Sequence, residues 1–75
     1  MKIYGRNQTE ESDLAILREV TIVAEPDILR ELASFLYRCA DGIEERGDGW
    51  EHEEFETSEI VAPDIVIFNP NVVED

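Results

Sequence analysis

Apolar residues recur at spacings of three and four over the middle of the chain, at Ile28, Leu29, Leu32, Phe35, Leu36, Cys39, Ala40 and Ile43. That spacing lines one face of an α-helix. Arg30, Glu31, Ser34, Arg38, Asp41, Glu44 and Glu45 occupy the opposite face. Pro26 suits the first helical turn, where its missing N–H has no partner to lose, and Glu25 and Asp27 complement the positive end of the helix dipole. Arg46 sits at the negative end, and Gly47 is suited to the residue just beyond it. The pattern predicts a helix over 25–46.

β-prone segments flank it. KIYG at 2–5 ends in Gly5, and the polar run RNQTEESD follows, so 1–13 is expected to be a short strand and a loop. LAILREVTIVA at 14–24 is rich in β-branched residues, densest at Val20–Val23, and predicts a strand able to pair with the first as an antiparallel hairpin. After Pro63, the run DIVIF, closed by NPN, predicts a strand over 63–70, and 71–75 is a tail. Ile65 and Ile67 project to one side of that strand, Val66 and Phe68 to the other. Both sides are apolar, which is the pattern of a strand covered twice. One helix covers one face of a small sheet, so the other face needs residues 47–62, a second subunit or a partner. The expected architecture is a single α+β domain: a sheet of about three strands, in the order β-β-α-β, with one long amphipathic helix packed across it.

Charge narrows the class of partner. Nineteen acidic against six basic side chains give a net charge of -13. A field of that sign repels nucleic-acid backbones and anionic membranes and favours encounter with basic proteins. The simpler alternative is that the acid keeps a small protein soluble or suits a salt-rich habitat. Cys39 is alone, so no disulfide forms within the chain, and its place on the apolar stripe is that of a buried thiol in a reducing compartment. The first residues hold one Lys without an apolar signal core, and no apolar run approaches the roughly 18 residues of a membrane helix. These features predict a cytoplasmic protein.

Candidate chemistry gathers in GWEHEEF, residues 49–55, within the acidic aromatic segment 47–62. Residues 51–56 are compatible with one or two helical turns, which would set His52 and Glu56 on one face beside Glu53. One His and two carboxylates fall short of the four ligands usual in structural zinc sites, so no metal and no cofactor are expected. Cys39 and His52 are the sole Cys and His, but Cys39 belongs to the core stripe. No Gly-rich phosphate loop and no HExxH motif is present, so an enzyme is not expected. Trp50 and Phe55 either seal the core or anchor a partner, with Phe55 mostly inward. Around them Glu51, His52, Glu53, Glu54 and Glu56 form a negative rim that selects a basic partner.

Taken in order, VTIVAEPDILRELASFL, then ILRELASFLYRCADGIEERG, WEHEEF and APDIVIFNP resemble the small immunity proteins of immunity protein family thirty-two, from bacterial polymorphic toxin systems. The likeness covers about residues 14–70. It implies a cytoplasmic, non-catalytic protein that binds a cognate toxin domain, with residues 50–56 as contacts that occlude a basic surface. Related sequences carry a His-x-His pair after the helix; here the second His is Glu54, which weakens any paired-His metal site. The alternatives are a homodimer formed through a strand edge or the uncovered sheet face, and a metal-binding protein centred on His52.

Overall fold

The computed structural model describes residues 1–7 and 16–72. Its elements are β1 (Lys2–Asn7), β2 (Leu17–Val23), α1 (Pro26–Arg46), a 3₁₀ turn (Gly47–Gly49), β3 (His52–Glu54) and β4 (Val66–Phe68). The expected loop at 8–13, the first residues of the expected 14–24 strand and the end of the tail, 73–75, lie outside the described residues. The fold is α+β, with one helix and two small antiparallel sheets.

α1 follows the periodicity closely. Leu29 N–H donates to the Glu25 carbonyl at 3.0 Å, closing the first turn. At the other end Gly47 takes φ 52°, and its N–H donates to the Ile43 carbonyl. A residue with a Cβ is strained in that left-handed region, which is why glycine sits there. Ile28, Leu32, Phe35 and Cys39 are the buried stripe.

The α+β reading with about three strands and one long helix holds, with four short strands that divide into two two-stranded sheets, β1–β2 and β3–β4. The extra strand comes from the segment compatible with helical turns. Residues 52–54 are extended, and β3 pairs with β4 through His52↔Phe68, Glu53↔Ile67 and Glu54↔Val66. Phe55 N–H to the Ile65 carbonyl and Asn69 N–H to the Glu51 carbonyl, both 2.8 Å, prolong the ladder. A helix here would stack Glu51 on Glu54 and Glu53 on Glu56 at repelling distances. The strand spreads those charges and satisfies the polar backbone of β4.

The core is built by Leu32, Phe35 and Cys39 of α1 with Trp50 and Phe55 from the segment beyond it, and Met1, Ile43, Ile65 and Ile67 pack at its margin. The rings of Phe35 and Phe55 lie 5.2 Å apart, tilted by 42°, within the range that favours aromatic pairs. Trp50 lies against the helix backbone at Gly42, where a Cβ would fall 2.5 Å from the indole Nε1. On the polar side, Ser58 donates to Glu31 from its N–H at 3.0 Å and its hydroxyl at 2.6 Å, tying the 55–62 segment to α1. The Ser58 hydroxyl and then its N–H hold the Glu31 carboxyl below its usual range.

The β1–β2 hairpin pairs Ile3 with Ile22, Tyr4 with Thr21 and Gly5 with Val20, and its register shifts between Arg6 and Asn7. Every residue of β2 is exposed. No described helix is long and apolar enough to cross a membrane.

Candidate functional site

Residues 50–56 form a ridge whose geometry follows from strand alternation. His52 and Glu54 share the outer face of the β3–β4 sheet with their register partners Phe68 and Val66, while Glu53 stands opposite Ile67 on the helix side. Phe55 has the same parity as Glu53 and is buried, with 9% of its surface exposed. Trp50 is 4% exposed. Both aromatics therefore pack into the core in this fold, and the exposed aromatic of the β3–β4 sheet is Phe68.

Phe68 is 50% exposed. The His52 ring stacks on it at 4.8 Å and 23°, and His52 Nδ1 lies 3.0 Å from the Glu51 carboxylate. Glu51, Glu53, Glu54 and Glu56 are all exposed. Glu53, Glu54 and Glu56 surround a shallow recess with Arg38, yet none of the three pairs with a cation within ion-pair distance among the described residues. Arg38 instead sits 5.9 Å above the Phe35 ring centroid. The ridge thus keeps its negative charge available on a surface fixed from below by two buried aromatics.

The chemistry weighed for this segment can be placed on the same geometry. Cys39 is 2% exposed on the core side, and His52 is on the outer face of the sheet. Burial, and then the charge of Glu53, push the Cys39 thiol up, with Arg38 partly offsetting them. Among the described residues, no three His, Cys, Asp or Glu side chains converge as a metal site. With residues 52–54 in a strand, the helical i, i+4 arrangement of His52 and Glu56 does not form.

Two residues that hold the ridge in place are absent from the sequence-level candidates. Asn69 is wholly buried. Its Nδ2 donates to the Gly47 carbonyl at 3.0 Å and the Trp50 carbonyl at 2.9 Å, and its Oδ1 accepts the Asn71 N–H at 3.0 Å. It joins the end of β4 to the turn that delivers Trp50. The parity of DIVIF set Phe68 with Val66 on the face opposite Ile65 and Ile67, a face expected to be covered that is instead 50% and 38% exposed at these two residues. No local pattern marks Asn69, because Asn before Pro is ordinary turn composition. No family model, curated protein or solved structure matches the chain, so the likeness to immunity proteins stands on the quoted segments alone.

Proposed function

We propose that this chain is a protein-binding module that neutralises a basic partner, a cognate bacterial toxin domain, by covering a cationic surface with the ridge at Glu51, His52, Glu53, Glu54 and Glu56. The observation that carries this is the exposure of these carboxylates, with Glu53, Glu54 and Glu56 free of ion pairs among the described residues, on a sheet anchored by Trp50 and Phe55. Carboxylates carried on an ordered strand require no loop ordering on binding and steer a basic partner from a distance. Phe68, stacked on His52 and half exposed, supplies an apolar centre to the charged rim. The net charge of -13 extends the same field.

Co-expression with a bacterial toxin domain, chosen as one encoded next to this chain's gene, tests the reading. The chain should restore growth, and the double substitution Glu53→Lys, Glu54→Lys should abolish rescue while leaving the fold intact. Unchanged toxicity, with no complex at low ionic strength, would refute the proposal.

A further inference from the structure

A second surface adjoins the ridge. An open groove of about 460 Å³ lies between the hairpin, α1 and β4. Leu17, Val20 and Ile22 of β2 line one side, Leu36 of α1 and Val66 of β4 the other. Although they share a concavity, Leu17, Val20, Ile22 and Leu36 are 43%, 53%, 41% and 44% exposed. The helix stripe continues beyond Leu36 into an adjoining hollow with Ala33, Tyr37 and Ala40. Single exposed apolar residues are ordinary, whereas a contiguous patch marks an interaction site.

The hairpin is shaped to complete this patch. Arg6 pairs with Glu19 but Asn7 with Leu17, so Arg18 is the extra residue of a bulge. The bulge turns Leu17 to the side of Val20 and Ile22, where simple alternation would put it with Glu19 and Thr21. Gly5 makes the room: a Cβ there would lie 2.8 Å from Leu17 Cδ1.

Charge selects the occupant. Among the described residues, the charged residue lining the groove is Asp64, and Val66 in its wall is the register partner of Glu54 on β3. A second copy would bring another -13 against these carboxylates, which opposes self-association. We propose that the groove receives an amphipathic cationic segment of a partner protein. Its aliphatic side chains would cover Leu17, Val20, Ile22 and Leu36, and its Lys or Arg residues would meet Asp64 and Glu54. This builds on the proposed basic partner and adds the apolar half of the interface.

The test titrates the full ¹⁵N-labelled chain with a peptide of alternating Lys and Leu, alongside Lys/Ser and Glu/Leu peptides of equal length. The Lys/Leu peptide should shift the amides of Leu17, Val20, Ile22, Leu36 and Val66 to saturation, and bind at least about tenfold more tightly than either control. Val20→Glu, at an exposed strand position, should weaken it about tenfold without moving the melting temperature by more than a few degrees; Leu36→Ala supplies a milder second variant. Equal binding of Lys/Leu and Lys/Ser, or shifts confined to residues 51–56, would overturn the inference. So would a dimer in sedimentation at micromolar concentration whose groove amides shift on dilution, since the occupant would then be a second copy. Failure of the unaltered chain to rescue growth, alongside intact Lys/Leu docking, would count against the proposed function and leave the groove assignment standing.

Discussion

Replacing Gly42 with Ala sets helix propensity against packing at a position where the two disagree in sign. In a solvated helix interior the change would stabilise by about 1 kcal/mol. At Gly42, however, the added Cβ would lie 2.5 Å from Nε1, 2.6 Å from Cδ1 and 3.2 Å from Cε2 of Trp50. Carbon atoms pack comfortably at about 3.5–4.0 Å, so the indole must retreat by about 1 Å. It has little freedom to do so. The Trp50 backbone carbonyl accepts from Asn69 Nδ2 at 2.9 Å, its backbone N–H donates to the Gly47 carbonyl at 3.0 Å, and its side chain belongs to the core cluster. Overpacking of this kind costs about 1–3 kcal/mol. The expected net result is a loss of about 1 kcal/mol, or a fall in melting temperature of about 4–8 °C for a domain of this size. Trp50 is the sole Trp of the chain, so its emission reports the event directly: Gly42→Ala should shift it to the red and lower the unfolding midpoint. In a Trp50→Leu background, followed by the helical circular-dichroism signal, the same Gly42→Ala change should become stabilising. A higher melting temperature for Gly42→Ala alone, with unshifted emission, would refute the close contact between α1 and the indole.

Asn69→Ala removes the partners of two carbonyls and one N–H in or near the core, and should cost about 2–4 kcal/mol in urea unfolding; a loss below about 0.5 kcal/mol would mean the latch is not needed. Asn69→Asp points a carboxylate at the Gly47 and Trp50 carbonyls, which raises its folded pKa above the unfolded value. Relative to the parent, that variant should therefore be most stable below about pH 4 and lose stability as pH rises. For Cys39, whose thiol is pushed above its ordinary 9.0, alkylation in the native state should be far slower than in urea at the same pH. Because the folded thiol keeps its proton longer, its contribution to stability is full below the unfolded thiol pKa and is lost as pH rises through the higher folded value. Equal alkylation rates in native and denaturing conditions would contradict the burial of Cys39.

α1 was legible because one helix carries its own evidence: the 3.6-residue period, Pro26 at the start and Gly47 at the stop are all local. The last strand was legible for the same reason, through β-branched residues between Pro63 and Asn69. β3 was not, since His52-Glu53-Glu54 has no β-forming composition and becomes a strand only by pairing with residues far along the chain. The division into two sheets is likewise a product of tertiary placement. In the site, the outward carboxylates and inward Phe55 followed from composition alone. Trp50 was undecided because its burial depends on Gly42, a glycine inside a helical pattern whose spacing alone does not name its neighbour.

The hairpin has a further consequence for how the molecule comes apart. Among the described residues, no main-chain hydrogen bond joins β1 or β2 to α1, β3 or β4, and β2 is exposed along its whole length. The amides of β2 should therefore exchange with deuterium through a local opening that leaves α1 protected, so the chain holds two units of unequal stability. Leu17, Val20 and Ile22 belong to that exposed unit, while the hairpin is tied to the rest at Met1, whose ammonium pairs with Glu59 at 2.6 Å. Opening at the β2 side therefore changes the width of the cleft it borders before the cluster around Phe35 melts.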